Sequence, residues 1–282
     1  MNPIKQYIKN YLNESLFDDE DVLSDPERDK LIIENWIKEN YRFSGILTIN
    51  DDCTVDCSGS VGISNDDIEA LTISLFRWGK IGGSFYCNDC ENLKSLEGAP
   101  KKVRLSFNCA HCNSLKTLEG GPEEIGGEFD CSNCKNLESL EGAPEYVDEN
   151  FDCRSCSGLK TLKGAPKKVG GGFDCSFCDG LKTIKGSPEV VGGNFNCLFC
   201  HKLKTLEGSP KEVGGSFNCS NCKNLESLKG SPEVVGGNFN CLFCHKLKTL
   251  KGSPKEVGGS FYCNVCVNLK ITNADRTKYN IS

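Results

Sequence analysis

Apolar residues recur along most of the chain with a fixed spacing of 22 residues. One Cys-x-x-Cys pair marks each period, and nine such pairs follow one another from Cys87 to Cys266 without an insertion or deletion. In every period Phe stands two residues before the first cysteine, Val or Ile six before it, and Leu six after it. A period of this length is typical of stacked repeats, in which each unit buries its apolar side only against its neighbours. The pattern therefore predicts a solenoid.

Within one unit, the pattern predicts one short strand. Val, a Gly in most units, Phe and Cys alternate with other residues at period two, which places them on one face of extended chain. Leu105 takes the glycine position in one unit, which favours an inward orientation for that position. A further Leu or Ile and a Gly-x-Pro step end each segment, so we expect turns, extended chain or short 3₁₀ pieces on the return side.

A unit without cysteines is expected before the first pair. Its apolar residues stand 22 residues before Phe85, Cys90, Leu93 and Val103 of the next unit. They are Ile63, Ile68, Leu71 and Ile81. We therefore expect about nine to ten 22-residue units over residues 61–271, an N-terminal cap over 1–60 and a C-terminal tail over 272–282.

The N-terminal residues predict two helices and a hairpin. One helix is expected from Pro3, and another from the capping box at Ser24, with apolar residues Leu31, Ile32, Trp36 and Ile37. Residues 47–63 alternate apolar and polar side chains around an Asn-Asp-Asp turn, which is typical of a hairpin. The acidic stretch 18–21 is expected to be a solvated linker between the helices. Because an open solenoid end needs covering, we expect this region to act as a cap.

The unit resembles the leucine-rich repeat, whose core reads L-x-L-x-x-N-x-L-x-x-L. Phe217-x-Cys219-x-x-Cys222-x-x-Leu225-x-x-Leu228 stands in its place, with one extra residue before the first of these leucines. The second cysteine occupies the position of the family's asparagine ladder. The Val-Gly-Gly-x-Phe-x-Cys segments and Leu-x-Gly-x-Pro turns are also similar to repeat proteins common in tailed-phage and gut-bacterial genomes, most without an assigned function. The resemblance covers roughly residues 61–271 and implies a mainly β, leucine-rich-repeat-like solenoid that is phage-encoded.

Composition narrows the class of protein. With 38% hydrophobic residues and a net charge of −6, the chain has the make-up of an ordinary globular protein and the wrong sign of charge for a nucleic-acid binder. No apolar run reaches the roughly 20 residues of a membrane span, and the first residues contain no signal-peptide core. We therefore expect the protein in a reducing cytoplasm, with its thiols free. If it is phage-encoded, the expected location is the host cytoplasm or a virion.

The paired cysteines are interpreted first as a core ladder, because Cys is a small, often buried side chain with a weak thiol donor. The expected structural core includes Phe107, Cys109, Cys112, Phe173, Cys175, Cys178 and Leu181. Zinc binding by neighbouring Cys-x-x-Cys pairs is the main alternative, since the pairs have zinc-ribbon spacing. Redox catalysis and c-type haem attachment, at Cys197-Leu-Phe-Cys200-His201 and its near-copy, are further alternatives.

No catalytic constellation is evident from the sequence, because the chain has three histidines, no phosphate-binding glycine motif and no nucleophile elbow. We therefore expect a non-enzymatic, monomeric interaction or scaffold protein without a cofactor, which binds an unknown protein and neither nucleic acid nor membrane.

Two columns of side chains are candidate binding surfaces, because equivalent residues of stacked units lie about 5 Å apart. One column contains Asp130, Asp152 and Asp174, which either provide solubility or face a cation or basic partner. The other contains Phe177, Phe199 and Phe243, which either form an exposed contact surface or are partly buried in the loop.

Overall fold

The fold is a β-solenoid, as the repeat period predicts. The structure is a computed structural model that describes residues 26–63, 68–69, 71 and 76–279. The helix expected from Pro3 and the acidic stretch 18–21 lie outside the described residues. Over the described ranges the chain forms helix α1 (Pro26–Asn40), then strands, then helix α2 (Asn273–Tyr279).

The strands are short, and most contain two residues. They are β1 (Tyr41–Phe43), β2 (Leu47–Ile49), β3 (Thr54–Cys57), β4 (Val61–Ile63), β5 (Arg77–Ile81), β6 (Phe85–Tyr86), β7 (Lys102–Val103), β8 (Phe107–Asn108), β9 (Glu124–Ile125), β10 (Phe129–Asp130), β11 (Tyr146–Val147), β12 (Phe151–Asp152), β13 (Lys168–Val169), β14 (Phe173–Asp174), β15 (Val190–Val191), β16 (Phe195–Asn196), β17 (Glu212–Val213), β18 (Phe217–Asn218), β19 (Val234–Val235), β20 (Phe239–Asn240), β21 (Glu256–Val257) and β22 (Phe261–Tyr262).

Each coil of the solenoid contributes one strand to each of two sheets. Among the described residues both sheets have 11 strands, in the orders β1-β4-β6-β8 and onward to β22, and β2-β3-β5-β7 and onward to β21. From β5 and β6 onward all pairs are parallel and join equivalent residues of neighbouring units, such as Phe129 with Phe151 and Val147 with Val169. The 22-residue period is therefore the length of one coil.

The prediction of a single strand in each unit is wrong, because the chain bends between Val and Phe. At the bend, neighbouring coils touch backbone to backbone: a Cβ on Gly192 would lie 2.1 Å from the carbonyl oxygen of Gly170. Val and Phe consequently belong to different sheets. Leu105, whose position was expected to face inward, is 50% exposed at this corner.

The core is a set of continuous ladders of identical side chains. The nine phenylalanines from Phe85 to Phe261 stack with ring centroids 5.0–5.6 Å apart. Phe107, Cys109, Cys112, Phe173, Cys175, Cys178 and Leu181 are all fully buried in these ladders. Burial of one Phe side chain contributes about 1.5–3 kcal/mol, so the ladders supply the main driving force for stacking coils.

The N-terminal elements cover the first coil. β2 and β3 form the expected hairpin, with Leu47 opposite Cys57. Ile33 and Ile37 of α1 are buried, whereas Leu31, which the sequence placed among its apolar residues, is 54% exposed. The Trp78 ring of β5 packs edge-on against Phe85, the first phenylalanine of the ladder, with ring centroids 6.0 Å apart.

The coil without a Cys-x-x-Cys pair exists, and its Ile81 pairs with Val103 at the expected offset, but its pairing with Phe85 differs from the expected one. Phe85 pairs with Val61 and not with Ile63, and Ile81 pairs with Cys57. The separation is thus two residues longer than in the later coils. A fixed 22-residue offset assigned the wrong partner here because this coil carries no cysteine pair to mark its alignment.

Helix α2 lies within the segment expected to be a tail and packs on the last coil. The Tyr279 ring stacks on Phe261 with centroids 4.3 Å apart, and its hydroxyl donates to the carbonyl oxygen of Pro254 at 2.9 Å. The phenylalanine ladder therefore ends against an aromatic ring at each end. Neither helix of the described part of the chain has the length and apolar content that crossing a membrane requires.

Candidate interaction surface

The cysteine pairs form a hydrogen-bonded ladder inside the solenoid. From Cys112 to Cys266, the second thiol of each pair donates to the carbonyl oxygen of the first cysteine in the preceding pair, with Sγ–O distances of 3.0–3.3 Å. This contact needs the protonated thiol, and burial raises the pKa of the donors Cys156, Cys178 and Cys222 well above the usual range. The thiols thus satisfy backbone acceptors in each coil.

The zinc, redox and haem alternatives need thiolates or accessible thiols. In the ladder the second thiol of each pair is buried and donates to a carbonyl oxygen, so thiolate chemistry would break that contact. Across the described residues, no three His, Cys, Asp or Glu side chains are grouped to hold a metal ion. Cys197 and Cys200 of the haem-like motif are fully buried, and the His201 ring lies against the carbonyl oxygen of Asn221, with Nδ1 at 3.1 Å.

In three coils the aspartate column caps the turn that follows the strand of the first sheet. Oδ1 of Asp130, Asp152 and Asp174 accepts the backbone N–H two residues ahead, at 2.8–3.0 Å. Asparagine does the same in other coils, as Asn108 and Asn218 show. The column therefore has a structural role that the sequence analysis did not assign, namely the Asx turn that leads into the cysteine pair.

Asp152 is the least exposed of the three carboxylates, with 11% of its side chain exposed. Burial raises its pKa from 3.8 to about 6, and the charges of Asp130 and Asp174 act in the same direction, while Arg154, which contacts Oδ2 at 3.1 Å, opposes them. The middle of the column thus offers little free carboxylate surface to a partner.

The phenylalanine column lies on the outside of the solenoid. Phe177 is 48% and Phe243 40% exposed, and Phe199 is half-buried. Phe177 and Phe199 stack on each other with centroids 4.8 Å apart, and the rings of His201 and His245 pack edge-on against Phe199 and Phe243. These side chains form an apolar strip outside the core, which Asn221 interrupts between Phe199 and Phe243.

This column has a left-handed backbone in every coil. φ is 58–61° at these positions, which are occupied by Asp89, His111, Asn133, Ser155, Phe177, Phe199, Asn221, Phe243 and Val265. Asn, Asp and His tolerate this conformation, whereas a bulky or β-branched residue is rare there. Phe is therefore not a residue that the turn itself favours.

Lysines follow the phenylalanines on the same side of each coil. In the four units whose first cysteines are Cys175 to Cys241, the outward positions between the second cysteine and the next turn contain six lysines and two acidic residues. The lysines are Lys182, Lys202, Lys204, Lys223, Lys246 and Lys248, and all six are exposed. The acidic residues are Asp179 and Glu226. This edge is therefore positive in a chain of net charge −6.

Elsewhere several charged side chains pair between coils. Lys163 contacts Glu141 at 2.8 Å, Lys229 contacts Glu207 at 2.6 Å, and each pair joins residues 22 apart. A groove of about 740 Å³ over the N-terminal part of the second sheet has mixed charges too, and its Lys102 pairs with Glu124 at 2.7 Å. These pairs neutralise part of the charge on those surfaces.

Comparisons with known proteins give no assignment: no protein-family model, no curated protein and no solved structure matches this chain. The candidate surface therefore depends on the geometry of the chain itself.

The sequence analysis predicted the phenylalanine column but missed the lysines beside it. Their signal was present in the repeat alignment, because Lys182, Lys204 and Lys248 stand seven residues after a first cysteine. The alignment could not show which lysines contact a carboxylate of a neighbouring coil.

Proposed function

We propose that this chain is a non-enzymatic interaction or scaffold module that binds another protein through the outer side of its solenoid. The observation that carries the proposal is the strip of exposed Phe side chains on a rigid, capped array. A solenoid presents long surfaces made of regularly spaced columns, which suits binding rather than chemistry. Exposed aromatic residues that cluster together favour protein contact.

The compartment and origin are part of the same proposal. The unit resembles repeats found in tailed phages and gut bacteria, which supports a phage-encoded protein that acts in the host cytoplasm or on a virion. Free, reduced thiols are compatible with that compartment. A monomer is supported by the helices at both ends of the described array, since α1 contacts β1 and β2, and Tyr279 of α2 stacks on Phe261.

The test is to capture partners with immobilised full-length protein and then reconstitute the complex from purified components. We expect a defined protein that binds at micromolar concentration or below. A preparation that binds no protein but turns over a substrate, with turnover lost on a single substitution, would contradict the proposal.

A further inference from the structure

The phenylalanine column and the lysines beside it form one surface, which we call the Phe–Lys edge. It consists of Phe177, Phe199 and Phe243 and the six lysines named above. Along a coil, Cys200 and Leu203 point into the core, so Phe199, Lys202 and Lys204 share the outer side of the same short segment. The inference made from this edge rests on the proposed function and names the partner's chemistry.

The backbone of the edge is held in place. The Phe177 N–H donates to the carbonyl oxygen of Leu198 at 2.9 Å, and the Phe199 N–H donates to Ser220 at 3.0 Å. The lysine positions are tied in the same way, since the Lys182 N–H donates to the carbonyl oxygen of Lys160 at 3.1 Å. A partner therefore meets a preorganised row of side chains, and binding orders little backbone.

The phenylalanines of the edge are unfavourable for folding in two ways. They expose apolar rings, and they occupy a left-handed position that Asn fills at Asn133 and Asn221. The coil from Asn221 onward folds with the same ladders as its neighbours, so the turn does not need an aromatic ring. A partner that buries the rings would offset both costs.

The lysines of the edge have no carboxylate partner among the described residues. Lys160, which lies in the same column as Lys182, contacts Glu138, and Lys163 and Lys229 in another column contact glutamates too. Unpaired positive charge around an apolar strip is complementary to a surface of acidic and apolar side chains. The charge therefore specifies which kind of protein fits.

We propose that the Phe–Lys edge docks an acidic protein segment that carries apolar side chains, with its carboxylates on Lys202, Lys204, Lys246 and Lys248 and its apolar groups on the phenylalanines. Single-stranded nucleic acid also combines negative charge with flat apolar groups. It is less suited to this edge, because Phe177 and Phe199 stack on each other at 4.8 Å and leave no space for a base between them.

The chain supplies matched substitutions for a test. Residues 187–217 and 231–261 are near-copies that differ only at Glu207 and Lys251, and the coil between them has Asn221 and Asn224 where they have Phe and Lys. A phenylalanine variant therefore combines Phe199→Asn with Phe243→Asn. A lysine variant combines Lys202→Asn with Lys246→Asn.

The experiment selects binders from a random peptide display library on the full-length protein. The recovered peptides are then measured by fluorescence anisotropy against the parent and both variants, at low and high salt, with oligo(dT) as a competitor. We expect peptides rich in Asp or Glu together with Leu, Ile or Phe. The phenylalanine variant should weaken binding by roughly 30-fold, the size of a hot-spot loss, at an unchanged or higher melting temperature. The lysine variant should bind more weakly and lose much of the salt dependence.

Three results would overturn the inference. The first is a library that yields only basic or neutral polar peptides or none. The second is displacement of the peptides by oligo(dT) with comparable affinity, which would assign the edge to nucleic acid. The third is acidic peptides that bind both variants as tightly as the parent. That last result would leave the proposed function standing and move the contact to another surface.

Discussion

Replacing Asp152 with Asn should stabilise the array in a pH-dependent way. The Asp152 side chain is 11% exposed between two other carboxylates, and its pKa is raised from 3.8 to about 6 by burial and by those charges. Between about pH 4 and pH 6 the folded protein holds a proton that the unfolded chain releases. Stability from this site is therefore complete below pH 4 and is lost as the pH rises through 6.

The magnitude follows from the shift. A change of about two pKa units corresponds to about 3 kcal/mol as an upper limit. The opposing attraction of the exposed Arg154 guanidinium is already contained in this shift, since it lowers the pKa of Asp152. Asn should keep the Asx turn, since Asn108 and Asn218 accept the same backbone N–H group. The net gain at pH 8 should be about 1–2 kcal/mol, with little gain at pH 4.

Urea unfolding followed by circular dichroism at pH 4, 6 and 8 measures this difference. The reverse change Asn218→Asp is a matched control, because its neighbours in the column, Asn196 and Asn240, are uncharged. It should destabilise less at pH 8 than the natural carboxylate does at Asp152. A gain from Asp152→Asn that is equal at pH 4 and pH 8, or a loss at pH 8, would refute the reasoning.

Four further outcomes are expected. Phe173→Ala should lower the free energy of unfolding by about 3–5 kcal/mol, because it removes a buried ring that stacks on both sides. Phe177→Ala should change it by less than about 1 kcal/mol. Similar losses for the two variants in denaturant titrations would show that Phe177 belongs to the core. Cys178→Ala should lower the free energy of unfolding by about 1–3 kcal/mol, because it removes side-chain volume and the donor to the Cys153 carbonyl oxygen. Cys178→Ser keeps a donor and should give a different loss in the same titration. Elemental analysis of protein purified without added metal should find essentially no zinc; about one ion for every two cysteine pairs would mean that the thiols bind metal. A thiol reagent should modify Cys53 before the other cysteines, because Cys53 is half-exposed, and mass spectrometry showing early labelling inside the ladder would contradict the burial of the pairs.

The inward half of the fold was predictable because inward positions are chemically uniform. Phe, Cys and Leu recur at fixed offsets, and one such position predicts all its equivalents. The bend between Val and Phe was not predictable from alternation, since a period of two continues across Gly192 and Gly193 even where the backbone turns. The first coil was misaligned for a related reason: without a Cys-x-x-Cys pair, several apolar residues fit the same offset.

The candidate surface was predictable only in part, because its properties depend on contacts between coils. Phe177 was recognisable as an aromatic residue in a loop position, but its left-handed backbone follows from the turn geometry. Whether an exposed lysine is paired depends on the residue that the neighbouring coil places beside it. Lys229 contacts Glu207, whereas Lys204 has no carboxylate partner among the described residues, although lysine recurs at both positions. The role of Asp130 as a turn cap required the hydrogen bond to Ser132.

The contrast between inward and outward columns bears on function. Inward positions are constrained by the stack, so their uniformity reflects folding. Outward positions such as Asn221 and Phe243 occupy the same backbone conformation in coils with the same core, so folding does not dictate the difference between them. Asn is the better residue for that conformation, and Phe therefore occurs there against the local preference. The core of this chain is repeated with little change. A binding function would therefore be encoded at positions whose residues depart from the preference of their own turn. The phenylalanines beside the unpaired lysines are such positions.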